Sequence, residues 1–255
     1  MTGHTRRVAL ALLAFFALTA QREPILVPEV SQHEIQVRQG FTGTELLLFG
    51  AIVDPQGRRV SRPYDVVVVL KGPTGPILLR EKAKRFGIWL NAQSTAFRSA
   101  PSFFAVASSR PIDEIVDERT AAIYELGLDF LQLSPSGAID PEEQARFTSG
   151  LVDLRRREGL YTENGSGVSI SHGVLYQARI AVPSNVATGS YTAETFALVD
   201  GRVIASATAD VEVRKLGFER FVAEQADRSS FLYGLFAVGL SVLMGWLAGR
   251  VFALV

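Results

Sequence analysis

Hydrophobic positions along this chain fall into three regimes. Residues 8–20 (VALALLAFFALTA) are apolar apart from Thr19, and residues 231–249 (FLYGLFAVGLSVLMGWLAG) run without a charge. Between these two blocks the apolar residues come in short runs separated by turn residues. The central pattern predicts strands, because runs of 4–8 β-branched or aromatic residues bounded by Gly, Pro, Asn and Asp fit a pleated, half-buried surface.

Residues 45–53 (ELLLFGAIV) form one such run and end at Asp54-Pro55-Gln56-Gly57, a turn quartet. Residues 64–70 (YDVVVVL) form the next and are broken by Gly72-Pro73. Runs at 77–79, 86–90 and 103–107 follow. Residues 173–182 predict another strand, closed by Pro183. The plainest hairpin is 190–199 with 202–213, joined by Asp200-Gly201, a pair suited to a type I′ turn. Its two-residue loop predicts Val199 opposite Arg202, Leu198 opposite Val203 and Phe196 opposite Ala205, which puts the last four of these on one face. Short strands with frequent turns predict a sandwich or barrel. Gly189-Ser190-Tyr191-Thr192-Ala193 adds the Gly-x-Tyr-x-small pattern of a tyrosine corner, with Ala193 where antibody domains carry cysteine. The expected fold is therefore mainly β: an Ig-like antiparallel β-sandwich.

Residues 111–159 depart from the period of two. Pro111 suits a first helical position and Asp113 and Glu114 favour the positive helix end. Ile112, Ile115, Val116, Ala122, Ile123 and Leu126 follow helical spacing. A second helix is expected from Asp140-Pro141-Glu142-Glu143, with Asp140 as N-cap. Phe147, Leu151 and Leu154 would be its apolar stripe, Arg155, Arg156 and Arg157 its basic last turn and Gly159 its terminator. This is an α-helical insertion in the sandwich. A short amphipathic juxtamembrane helix is expected within 218–226.

The termini predict topology. Arg6 and Arg7 precede the first apolar block, which is too short to span but fits the core of a secretory signal ending near Ala20. The second block is about 28 Å long as a helix, close to the thickness of a bilayer core. Tyr233 and Trp246 lie near its ends and Arg250 follows. The expected division is a signal at 1–20, a periplasmic domain at 21–215, a juxtamembrane helix at 216–228 and one C-terminal transmembrane helix at 229–255. That places a single-pass protein in a bacterial inner membrane with most of its chain in the periplasm. The flanking charges run against this orientation, since Arg214, Lys215, Arg220 and Arg228 precede the span and only Arg250 follows it. The first segment usually dominates, so the orientation is kept. Ala237, Ser241, Gly245, Gly249 and Ala253 recur every four residues, a ridge of small side chains that lets another transmembrane helix approach. The partner would be a second copy or a multispanning transporter.

Charge and candidate chemistry add little. The 26 basic and 26 acidic residues balance, which gives no footprint for nucleic acid. There is no cysteine, so thiolate catalysis, disulfides and Cys-bound metals are excluded. His33 and His172 are the candidate metal ligands, weak ones without a His-x-x-x-His pair, and His4 falls in the signal. Asn164-Gly165-Ser166-Gly167 lacks the Lys of a phosphate loop and reads as a flexible loop. Asp113, Glu114, Asp117 and Glu118 read as the solvated start of a helix, and the three arginines as a helix end rather than an anion site. No Gly-x-Ser-x-Gly element is present. No cofactor and no catalytic residue are expected.

The layout resembles an uncharacterised alphaproteobacterial family of transmembrane proteins, the Alph_Pro_TM type. The resemblance rests on Ser31-Gln32-His33-Glu34-Ile35 with Phe41-Thr42-Gly43, on Gly87-Ile88-Trp89-Leu90-Asn91, on Ser169-Ile170-Ser171-His172-Gly173-Val174-Leu175 and on the C-terminal span. It covers nearly the whole mature chain and implies no activity, ligand or catalytic residue. It implies a multispanning exporter of the sulfite or sulfonate type as a neighbour. The expected function is a non-enzymatic binding or accessory module for another membrane protein. A periplasmic metal-binding domain using His33 and His172 is the alternative.

Overall fold

The computed structural model describes residues 24–37, 40–53, 63–215 and 230–252. The expected signal, the juxtamembrane helix and Ala253 lie outside them. The described chain is mainly β and forms several sheets. One sheet has the order β1 (Ile25–Val30), β3 (Gly43–Val53), β11 (Leu175–Pro183), β10 (Val168–Ser171), all antiparallel. A second has the order β2 (Glu34–Val37), β13 (Arg202–Lys215), β12 (Gly189–Val199), β4 (Asp65–Lys71), β7 (Phe104–Ser108), β9 (Tyr161–Asn164). β2 joins β13, and β9 joins β7, in parallel. Side chains of both sheets enter one core.

The burial patterns follow from what each strand faces. β11 alternates, with Tyr176, Ala178, Ile180 and Val182 inside. β4 does not alternate: all five residues from Val66 to Leu70 are buried. A strand buried on both faces needs a cover on each. One cover is the facing sheet. The other is the segment between β7 and β9, which carries α1 (Ile112–Ile115), α2 (Glu118–Tyr124), a 3-10 turn (Leu128–Phe130) and α3 (Pro141–Arg157). Tyr124 of α2 packs on Phe196 of β12 with ring centroids 5.4 Å apart.

The Asp200-Gly201 turn forms as expected, with φ of 50° and 77°. Val199 pairs with Arg202 and Leu198 with Val203, but a bulge follows, so Phe196 faces Ser206 and not Ala205. The extra residue, Ile204, lies on β13, so the bulge changes which β13 side chains stand beside Phe196 and the β12 residues before it. Tyr191 opens β12, and its hydroxyl donates to the Ala187 carbonyl at 2.7 Å.

Of the stretch at 86–90, expected as a strand, 88–90 are strand and Phe86-Gly87 form the turn of a long hairpin. β5 (Thr74–Arg85) and β6 (Ile88–Pro101) meet at Phe86-Gly87, with φ of 50° and 84°. Positive φ at both positions is the I′ geometry that matches strand twist, and Phe86 is an unusual residue to adopt it. A two-residue strand, β8 (Ser134–Pro135), completes this third sheet.

Two helical expectations are corrected. The 112–126 pattern is two short helices, not one, because Asp117 leaves the helix and caps α2 by accepting from the Thr120 amide at 3.0 Å. Ile123 is consequently exposed. In α3, Pro141 opens the helix but the Asp140 side chain makes no capping bond. Val152 is buried in place of Leu154, which is exposed. Gly159, at φ 72°, closes the helix: its amide donates to Arg156 and that of Leu160 to Arg155, the paired bonds of a Schellman end.

Candidate functional site

The C-terminal helix α4 (Ser230–Phe252) is 23 residues long, about 34 Å at 1.5 Å per residue. Its sequence has no charge before Arg250, and every described side chain from Gly234 to Arg250 is exposed. Leu235, Phe236, Val238, Leu240, Val242, Leu243, Met244, Trp246 and Leu247 all face outward. Ser241 turns its hydroxyl back to the Ala237 carbonyl at 2.8 Å, so its polar atom is satisfied within the helix. A methyl group placed on Gly245 or Gly249 would meet open space. Ala237, Ser241, Gly245 and Gly249 therefore share a shallow ridge along the helix. Among the described residues no helix is long and apolar enough to cross a membrane.

The metal expectation is corrected. His33 follows β1 and His172, at φ 54°, sits in the turn between β10 and β11. β1 and β10 are the two opposite edges of the four-stranded sheet, three strand spacings or about 14 Å apart. Two ligands of one metal ion must both lie about 2 Å from it. His33 instead contacts Glu29, Nε2 to Oε1 at 3.1 Å, on the surface. Among the described residues no three His, Cys, Asp or Glu side chains gather as a metal site.

The remaining sequence candidates are placed as structural parts. Asn164 holds its loop by accepting from the Ser166 amide at 3.1 Å, and Gly167 packs where a Cβ would strike Ala107. The 164–167 segment is thus a built turn in contact with the core. Arg155 bonds Glu158 at 2.9 Å at the helix end. Asp113 and Glu114 occupy the first turn of α1.

One charged cluster was not legible in the sequence. Lys71, at the end of β4, places Nζ 2.8 Å from Glu125 and 3.0 Å from Glu194, all three partly buried. Burial pulls the lysine pKa down, but the two carboxylates outweigh it and hold the ammonium above its usual range. A lysine kept charged is a poor base or nucleophile. Glu125, left-handed at φ 53°, also accepts from the Gln132 amide at 3.1 Å. The cluster ties the helical segment to β4 and β12.

A second tie lies at the other end of β4. Arg110 Nε bonds Asp65 Oδ1 at 3.0 Å and the Ser109 hydroxyl adds a bond at 2.8 Å. The Arg110 guanidinium, opposed in part by burial and helped by Ser109, holds the Asp65 carboxyl below its usual range. A carboxyl lowered in the fold stabilises it above the unfolded value, about 3.9. That contribution disappears as pH falls through the lower folded value. We expect Asp65→Asn to be less stable than the parent at pH 6 and to show a shallower loss between pH 4 and 2, read by urea midpoints of the detergent-solubilised chain. Equal slopes for both proteins would refute the tie.

A comparison with curated proteins gave no match. A family model described as "Putative transmembrane protein (Alph_Pro_TM)" matches residues 25–253, from the first described strand to one residue past α4. With nearly its whole length inside that match, the chain belongs to the Alph_Pro_TM family.

Proposed function

We propose that this is a non-enzymatic, single-pass membrane protein whose β domain stands in the periplasm and whose C-terminal helix docks on another membrane helix. The observation that carries the reading is α4, a 23-residue helix apolar on all sides. Such a helix buries no single face in a domain and finds its favourable solvent in lipid. Over its full length it reaches across a bilayer core, and its family is described as transmembrane. The signal at 1–20 exports the chain, and α4 stops transfer. The small-residue ridge, from Ala237 through Ser241, Gly245 and Gly249 to Ala253, then meets either a second copy or a multispanning exporter.

We also infer an Ig-like domain. The order β1-β3-β11-β10 opposite β13-β12-β4-β7 fits the A-B-E-D and G-F-C-C′ arrangement, and Tyr191 fits the corner at the start of strand F. Two hallmarks differ: there is no cysteine pair, and β4 carries no Trp.

Topology and docking are tested together. A reporter active only in the periplasm, inserted after Lys215, is expected to be active, and the full chain is expected to resist carbonate extraction. Gentle detergent extraction of native membranes is expected to recover a complex that Gly245→Leu with Gly249→Leu disperses. A reporter active only in the cytosol, or release by carbonate, would sink the tether. Recovery of monomer alone, unchanged by the two leucines, would sink the docking.

A further inference from the structure

Among the described residues, the distal half of the β5–β6 hairpin is left exposed. Its proximal half packs against α3, where Arg146 reaches Glu81 at 3.5 Å and also bonds Gln93. Beyond Glu81 every residue of both strands up to Asn91 is exposed except the half-buried Ala83. The tip carries Phe86, wholly exposed, with Ile88, Trp89 at 66 % and Leu90 at 47 %. Exposed apolar side chains of this size, gathered at one apex, mark an interaction site.

Three observations identify the occupant. First, the apolar apex is flanked by Arg80, Lys82, Lys84 and Arg85 against only Glu81, in a chain of zero net charge. Lys84 stands directly opposite Trp89, and Arg85 opposite Ile88. An aromatic-aliphatic tip ringed by cations suits an interface between hydrocarbon and anionic headgroups. Second, Lys82 and Lys84 lie on β5, one of the two open edges of the distal hairpin, since β8 pairs with β6 only at Phe97 and Ser99. Lysine on an open edge opposes strand-to-strand pairing with a second copy. Third, the hairpin is rooted where the chain leaves the domain. Pro73, just before β5, packs over Gly189, and Gly189 pairs with Val213 near the end of β13. Only residues 216–229 separate that point from α4. Twelve residues of β5 give the arm a reach of about 40 Å.

We infer that the Phe86–Leu90 tip inserts into the anionic surface of the bilayer that anchors the chain, as a second membrane contact. The inference rests on the tethered reading. The arm would fix the height and tilt of the domain above the membrane.

The two tryptophans make the test separable, because one lies at the tip and one in α4. Full-length Trp246→Phe reports Trp89, and full-length Trp89→Phe reports Trp246. Each is reconstituted in phosphatidylcholine vesicles with or without phosphatidylglycerol, and with acyl chains brominated or plain. Trp89 is expected to shift to the blue and to be quenched by bromine only when phosphatidylglycerol is present. Each basic residue near such a surface is worth about fivefold in partitioning. Lys82→Gln, Lys84→Gln and Arg85→Gln together are therefore expected to weaken insertion about a hundredfold and abolish the quenching. These side chains are exposed, so the circular dichroism of the sheets should not change. Trp89 emission typical of water in every vesicle, with Trp246 quenched, would overturn the tip and leave the tether. A blue shift without bromine quenching means burial against protein and also overturns it. If Trp246 escapes quenching the tether fails, and the tip then stands or falls on its own signal.

Discussion

Replacing Gly50 by valine is expected to abolish the folded β domain. Gly50 lies mid-strand in β3, opposite Pro28 of β1 and Tyr176 of β11. A Cβ there would sit 2.2 Å from the Val27 carbonyl oxygen and 2.6 Å from the Tyr176 hydroxyl. The first of these is backbone in a paired strand, so it cannot rotate away. Ordinary overpacking costs about 1–3 kcal/mol. Even Gly50→Ala is expected to exceed that range, since relief requires parting β1 from β3. The check is trypsin resistance and thermal unfolding of the full chain in detergent. Parent protein should give a stable core fragment and the valine variant none. A valine variant with an unchanged melting temperature would mean that β1 does not pair with β3 in this register.

The second large effect is an alkaline one. Tyr161 and Tyr191 are each about 1 % exposed. Burial, slightly opposed by Arg155, pushes the Tyr161 phenol up to about 12. Burial, slightly opposed by Ser102, does the same to Tyr191. In the unfolded chain both phenols ionise near 10. Below pH 10 both states hold their protons and nothing is lost. Between 10 and 12 the unfolded chain releases protons that the folded chain keeps, so stability falls by about 1.4 kcal/mol per pH unit for each tyrosine. Across two units the pair removes roughly 5 kcal/mol, comparable to the whole stability of a domain. The measurement is the urea midpoint from pH 9 to 12. Parent protein should collapse near pH 11–12. The double variant Tyr161→Phe with Tyr191→Phe should start lower, because the bonds to the Pro101 and Ala187 carbonyls are gone, yet lose less over the same range. Parallel curves would show that neither phenol is held neutral by the fold.

The reading of residues succeeded where structure is local. Asp200-Gly201 made a hairpin because both positions tolerate positive φ. Gly159 ended a helix for the same reason. The run at 64–70 was expected only as a strand; its burial on both faces, from Val66 to Leu70, comes from the covers that the fold supplies. Phe86-Gly87 was misread because phenylalanine rarely takes a left-handed turn position, and the flanking run looks like a continuous strand. The helix over 112–126 failed at Asp117, whose side chain captured an amide that a longer helix would have used itself. The bulge at Ile204 left no mark in the hairpin's alternation.

Alone, the order of residues determined that this chain makes many short strands, one helical interruption and a C-terminal helix without charge before Arg250, because each depends on neighbours a few positions away. Only the tertiary structure decided that His33 and His172 lie at opposite sheet edges, that Lys71 meets Glu125 and Glu194, and that the apolar tip at Phe86–Leu90 stands exposed among the described residues. Those are distances between residues tens of positions apart. They are set by which strands pair and which faces close, a competition among burial, hydrogen bonding and chain entropy that no single segment contains.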